Sequence, residues 1–466
     1  MPNTEEQSLH AQEPEPVAQA SDPKAQASDV MTPEAVIRSK SYRALLVLAA
    51  GLGVLVSFAS WCFLELVRGI QLAVFETIPS LLGYAAPPWW WPLPVLGIAG
   101  VIIAFAVFRL PGHGGHEPSK GLEAGPPTLP VELPGVLLAA LASIGLGFVL
   151  GPEAPLIALG TGLALWCVSL AKRDVPNEAS MMLAAAASFA AISTIFGSPV
   201  IGAVIIIEAA GLDGATLRLV LLPGLLAAGI GSLVFVGMGH FTGLSSSAYA
   251  ISPLALPAYD QPSIAAFIWS IVLAVVAAGV TYLIVELGRG THRLVVKRPY
   301  AFIPLAGLVI AALAIAFSQL TGQPALAVLL SGQDAMNPLV EQSATLPLAT
   351  LALLFLFKGL AWGVSLGSAR GGPTFPALFL GIVAGLLAAH LPGFAETPAV
   401  AALAGAMCVS ILRLPLASVM VAMLLSQAGL ATAPLIIVAV VAALITTELL
   451  AGRRGPAAGP AAAAHP

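Results

Sequence analysis

Charge is scarce in this chain. Lys, Arg, Asp and Glu make up 9% of its 466 residues, against 58% hydrophobic residues, where a soluble globular domain uses roughly 25% charged residues. That shortage excludes a soluble core protein and marks a polytopic membrane protein. Cysteine is nearly absent as well. Cys62, Cys167 and Cys408 lie far apart inside apolar runs, which reads as three small core hydrophobes and excludes a disulfide framework or a cysteine metal site. The first 40 residues hold no apolar run of signal-peptide length and are rich in Glu, Gln, Ala, Ser and Pro. A disordered cytoplasmic tail is therefore expected over 1–40, and a second, Ala/Pro/Gly-rich one over 453–466. No appended soluble regulatory domain is expected at either end.

Apolar stretches of about the ~20 residues needed to span a bilayer are abundant. They run through 44–64, 91–108, 134–151, 154–171, 180–210, 216–237, 263–286, 301–319, 344–365, 374–392 and 416–449, some long enough for two segments. Arg38, Lys40 and Arg43 precede the first and Arg453 and Arg454 follow the last. The positive-inside rule then predicts both termini in the cytoplasm, an even number of crossings and a place in the cell membrane. Trp89, Trp90 and Trp91 read as an interfacial aromatic anchor.

The 46 Gly and 38 Pro, many inside apolar stretches, predict an all-α fold of short, tilted and interrupted helices, because broken helices survive in lipid only where protein or a wet cavity surrounds the break. Glu153 stands in such a break. It is the only charged residue between Glu132 and Lys172, within the run Gly151, Pro152, Glu153, Ala154, Pro155. A carboxylate at membrane depth is costly and marks a functional site. The spacing Gly-x3-Pro-x4-Gly of Gly151, Pro155 and Gly160 returns at Gly372, Pro376 and Gly381. Downstream of each copy a proline opens another apolar helix, Ser198-Pro199 in one case and Leu414-Pro415 in the other. Two interrupted segments in corresponding places predict two inverted halves, roughly 41–240 and 260–452, of one transmembrane domain over 41–452, with a site between them.

These residues resemble the ClC family of chloride channels and proton-coupled chloride exchangers, over roughly residues 44 to 450. Gly151 to Pro155 is similar to the family's Gly-Arg-Glu-Gly-Pro element, with Glu153 at the gating glutamate. Gly371-Gly372-Pro373-Thr374-Phe375-Pro376 is similar to Gly-Gly-x-Phe-x-Pro, and the run from Phe196 to Glu208 is similar to the helix ending near the family's internal proton glutamate. The departures are specific. Pro152 and Ala154 replace the Arg and Gly of the first element. Thr374 replaces the Phe of the second, with Phe375 one place late. The internal glutamate aligns with Ala209, next to Glu208. The third family element, Gly-Ser-Gly-Ile-Pro, falls in Gly112-His113-Gly114-Gly115-His116-Glu117-Pro118, where the serine becomes Gly115 in the favoured register or His113 in the other. No Tyr follows Tyr300 to stand for the family's inner tyrosine.

The resemblance implies chloride transport across a membrane by a homodimer without cofactor, metal or nucleic-acid partner. Helix N-termini attract anions through free N–H groups and the macrodipole. Three elements, around Gly114, Gly115 and His116, around Gly151, Pro152 and Ala154, and around Pro373, Thr374 and Phe375, are thus expected to converge on an anion path. Ionised Glu153 would close that path and protonated Glu153 would open it; its other reading is a carboxylate capping a helix N-terminus or paired to a neighbouring base. Lys358 and Arg370 could line an entrance. Glu208 reads either as an acid ending its helix or as a proton relay or ion pair with Arg218 or Arg413. His113 and His116 read as a solvated loop or as pH-sensing, anion-contacting groups, with metal binding a remote third. Thr374 and Phe375 read as helix packing or pore lining. Proton-coupled exchange gated by Glu153 is the leading expectation. A chloride channel without coupling, or the same fold moving nitrate or fluoride, stands beside it. A membrane-embedded protease built on Ser245, Ser246, Ser247 and His240 lacks any orienting pattern.

Overall fold

A computed structural model of the chain describes residues 33–122, 125–171, 176–211, 214–242, 250–427, 429 and 431–452. Of the expected tail over 1–40, residues 1–32 lie outside the described residues, as do the expected tail over 453–466, with Arg453 and Arg454, and the three serines at 245–247. Helix begins at α1 (Pro33–Arg38), ahead of the expected boundary at residue 41, and a serine at position 39 starts α2 (Lys40–Leu72) by accepting from the Tyr42 amide. A π-helical turn carries α2 on into α3 (Ile78–Leu81). The first half continues with α4 (Pro92–Arg109), α5 (Leu133–Gly145), α6 (Glu153–Leu170), α7 (Asn177–Phe196), α8 (Pro199–Ala209) and α9 (Gly214–Thr242). The second comprises α10 (Ile264–Lys297), α11 (Pro299–Thr321), α12 (Met336–Gln342), α13 (Leu348–Ser368), α14 (Thr374–Ala388), α15 (Glu396–Leu412), α16 (Pro415–Ser426) and α17 (Ala433–Gly452).

Among the described residues nine helical stretches are long and apolar enough to cross a membrane, while α5, α8, α14, α15 and α16 are shorter apolar helices. The expected runs 180–210 and 416–449 each hold two helices, α7 with α8 and α16 with α17. The sequence reading has no run for α15. That helix is buried from Thr397 to Leu412, but alanine and glycine supply much of it, so its apolar signal is weak although its burial is the most complete. The expected aromatic anchor is reduced to its first members. Trp89 is exposed, whereas Trp91 is packed inside with its indole N–H on the Val74 carbonyl at 2.9 Å.

The helices α5 to α9 and α13 to α17 follow one another in the same pattern. In both series the third helix ends in a left-handed residue, Gly197 (φ 62°) after α7 and Arg413 (φ 58°) after α15. A proline at the first turn then opens the fourth helix, α8 or α16, where its missing N–H costs nothing. The repeated glycines explain the shared spacing. A Cβ on Gly160 would meet the Ala187 carbonyl of α7 at 2.8 Å, and one on Gly381 would meet the Ala404 backbone of α15 at 2.5 Å. Each glycine lets a broken helix lie against the backbone of the next, the close approach by which helices associate in lipid.

Candidate anion site

The two glycines that begin the repeat meet each other. Gly151 and Gly372 form an isolated antiparallel bridge in which the Gly151 amide donates to the Gly372 carbonyl at 2.7 Å and the Gly372 amide donates back at 2.5 Å. The residues that follow are alike as well. Pro152 (φ −87°, ψ 3°) and Pro373 (φ −90°, ψ −8°) sit at the N-caps of α6 and α14, neither with a side-chain cap. Neither first turn is therefore capped by its own N-cap side chain, which leaves helix-start amides for other acceptors. By repeat position Glu153 corresponds to Thr374, Ala154 to Phe375, and Pro155 to Pro376.

Glu153 is wholly buried. Its carboxylate leaves its own helix and crosses to the other half, where Oε1 accepts from the Phe375 amide at 3.0 Å. Oε2 has no hydrogen-bond partner, and neither has the buried Thr374 Oγ1. A side chain on Gly372 or Gly151 would overlap the Glu153 carboxylate, so both glycines are needed to make room for it. The Phe375 ring stacks on Phe196, at the end of α7, with centroids 5.8 Å apart.

The third expected element joins this pair differently from the sequence reading. No α-helix starts at 112–118. The segment forms two short 3-10 turns, Pro111–Gly114 and Pro118–Lys120, because Gly112, His113, Gly114 and Gly115 all have positive φ. It therefore offers no helix macrodipole. Gly114 is buried, and a Cβ there would meet Arg370 Cγ at 3.0 Å. Arg370 ties the loop to the second half, with its Nε donating to the His113 carbonyl at 3.3 Å and its amide donating to Ser143 Oγ at 3.1 Å. The loop thus reaches the Gly371–Gly372 turn through Arg370. His113 Nδ1 faces the Val107 carbonyl at 3.2 Å and His116 Nε2 the Gly121 carbonyl at 2.8 Å. Among the described residues no group of His, Cys, Asp and Glu could hold a metal ion.

Glu117 in the same loop pairs with Lys120 at 3.1 Å and lies 3.9 Å from His292. Burial alone would raise its carboxyl, but the hydrogen bond from Lys120, with the charges of His292, Lys120 and Arg370, brings it below the ordinary value.

Glu208 also crosses between halves. From the end of α8 it accepts from the Leu416 amide at 2.8 Å and the Ala417 amide at 2.7 Å, which places a carboxylate on the N-terminus of α16 where the macrodipole favours it. Arg413, one of its two suggested partners, faces Glu448 at 3.5 Å. Arg370 is buried, and Lys358 is fully enclosed and lines no entrance. The Lys358 ammonium is instead surrounded by backbone carbonyls, an arrangement the sequence reading missed. The rule that singled out Glu153 applies to it too, since Lys358 is the only charged residue between Glu341 and Arg370. Beyond its carbonyl partners lies a cavity of about 610 Å³, lined by Arg68, Gln71 and Glu76 of the first half, Ser252, and Asp334 and Asn337 of the second.

The sequence profile described as "Voltage gated chloride channel" matches residues 111–447. The "Putative ion-transport protein YfeO" of Escherichia fergusonii is 26% identical over 360 residues, 76% of this chain and 81% of the relative, and its Escherichia coli counterpart is 27% identical over the same length. Among solved structures, a slow cyanobacterial Cl⁻/H⁺ antiporter superposes with a TM-score of 0.70 at 18% identity, covering 88% of this chain and 95% of the other. A CLC-type fluoride/proton antiporter gives 0.65 at 17% identity, covering 87% and 96%. The fold, the paired broken helices and the profile match agree: this chain belongs to the voltage-gated chloride channel family.

Proposed function

We propose that the protein carries chloride, or a similar small anion, across the cell membrane in exchange for protons, with Glu153 as the gate. Members of the family are transporters and not enzymes. The observation that carries the reading is the wholly buried Glu153 carboxylate, which crosses from one uncapped helix start to accept from the Phe375 amide of the other at 3.0 Å. Helix-start amides that hold a carboxylate can hold another anion in its place. An ionised Glu153 occupies the space an anion would need, held by the Phe375 amide. A protonated Glu153 loses the charge that holds it there and leaves the donors of the first turns of α6 and α14 to the anion. No Lys or Arg stands in these two turns, so the anion is held by dipoles, weakly enough to leave.

Glu208 is the second acid of this reading, taking protons on the far side of the path from its place at the end of α8, against the start of α16. As a homodimer with both termini in the cytoplasm, the protein would present two such paths. Liposomes under crossed chloride and proton gradients test the proposal. A reversal potential displaced from the chloride equilibrium value supports exchange, and one that follows chloride alone assigns a channel. Glu153→Gln should abolish proton flux while anion flux persists.

A second reading keeps the path and changes the ion, to fluoride or nitrate. It is favoured by Thr374, a hydroxyl where the family has a Phe, and by the loss of the loop serine in both registers. Competitive uptake among the three anions separates the two.

A further inference from the structure

Lys358 lies in the middle of α13 and is fully buried. Its three N–H groups are shared among four consecutive carbonyls, those of Ala327 at 3.1 Å, Val328 at 3.2 Å, Leu329 at 2.9 Å and Leu330 at 3.3 Å, and it stands 4.5 Å from the centre of the Phe379 ring. Four carbonyls turned toward one point call for a cation, since without it those of the buried Val328 and Leu329 would be acceptors shut away from water with no donor. The loop is bent to achieve this, for Leu330 has a φ of 60° although it bears a branched side chain.

The bent loop is in turn bonded to the segment that presents the gate. The Leu330 amide donates to the Gly147 carbonyl at 3.2 Å, and Ser365, two turns along α13 from Lys358, accepts from the Val149 amide at 3.1 Å. Gly147 and Val149 lead directly into the Gly151 bridge and Glu153. On its other side Lys358 rests on Phe379, one turn of α14 beyond Phe375, whose amide holds the Glu153 carboxylate. Both the segment before Glu153 and the helix that receives it thus bear on this ammonium.

We infer that Lys358 is a positioning residue for the anion path: its ammonium serves as a resident cation that gathers the carbonyls of residues 327–330 and so fixes both the 147–151 segment and α14 around Glu153. The inference rests on the transport reading for its functional half, while the cage itself is tested without it.

Lys358→Ala, which leaves the four carbonyls and removes three methylenes with the ammonium, is compared with Lys358→Met, which fills the space without a charge. The probe is n-propylammonium, whose three carbons and nitrogen replace what alanine lacks. In detergent, the amine should raise the thermal midpoint of the alanine variant and leave wild type and the methionine variant unmoved. In liposomes, both variants should carry anion at about a tenth of the wild-type rate or less, the scale of a displaced catalytic group. The pH midpoint of that flux should shift, and n-propylammonium should restore rate and midpoint in the alanine variant alone.

If both variants match wild type in rate and pH profile, or if the folded alanine variant ignores the amine in both assays, the inference is overturned. Should the alanine variant fail to purify, recovery of folded protein only when it is expressed and extracted with n-propylammonium supports the cage, and no recovery overturns it. A wild type that moves no anion would defeat the transport reading, and the thermal response to the amine would still decide the cage.

Discussion

The carboxylate of Glu153 and the backbone amide of Phe375, 222 positions apart in the chain, meet at 3.0 Å in the interior of the protein. A side chain of one half is thus held by the helix start of the other. Glu153→Gln keeps the shape and removes the charge. Anion flux through this variant should lose its dependence on pH, measured as chloride efflux from liposomes across an acid-to-alkaline series; a retained pH profile would place the titrating group elsewhere.

Gly372 has no room for a side chain beside Glu153. Gly372→Ala should push the carboxylate off the Phe375 amide and cost about 1–3 kcal/mol through overpacking. Flux at alkaline pH should then rise, because the closed position is blocked. A variant with wild-type stability and flux would contradict the geometry.

Thr374 offers a buried hydroxyl with no partner. Removing it in Thr374→Val leaves the volume nearly unchanged, so the fold should stand. The order in which chloride, nitrate and fluoride compete for uptake should change, in favour of the less strongly hydrated ions. An unaltered order would show that the hydroxyl does not meet the transported ion.

Glu208 spends both carboxylate oxygens on the α16 start. Glu208→Ala should destabilise the protein by about 1 kcal/mol, the usual worth of a helix cap, visible as a lower thermal midpoint in detergent. Glu208→Gln separates capping from proton transfer: proton flux that survives it assigns the residue to the cap alone.

The Glu117 carboxyl lies below its ordinary value of 4.5 because Lys120, His292 and Arg370 favour its charge over the opposing effect of burial. A depressed carboxyl contributes stability above the unfolded value and loses it as pH falls through the folded one. Glu117→Gln should therefore be less stable than wild type at neutral pH, by under about 1 kcal/mol given the water-exposed Lys120 partner. The gap should close as pH drops below 4.5, the ordinary value. Paired thermal melts at both pH values check the sign.

Much of this site was legible in the sequence because costly residues are conspicuous in an apolar chain. Glu153 stood out as an isolated charge, and the Gly-Pro spacing located its partner helix because both copies need the same bare backbone. What stayed hidden depends on the path of the chain in space. That Glu208 reaches α16 follows from a left-handed turn after α7, at Gly197, and the matching turn after α15 is made by Arg413, a residue with no intrinsic preference for it. The loop at 112–118 was expected to start a helix. Four successive residues with positive φ prevent that, and only the backbone reveals how His113 is joined to Arg370. The alanine-rich α15 was missed because small residues pack deeply while giving little hydrophobic signal.

The Gly151 and Gly372 bridge has a consequence for how such a protein can be assembled. Each half brings a broken helix whose opening strand-like residue has only one partner, the same residue of the other half. Neither half holds both partners of the Glu153–Phe375 bond, so the two must dock before that bond can form. Because the equivalent places hold an acid on one side and a hydroxyl on the other, a nearly twofold framework carries one titratable group at its centre and is not symmetric there.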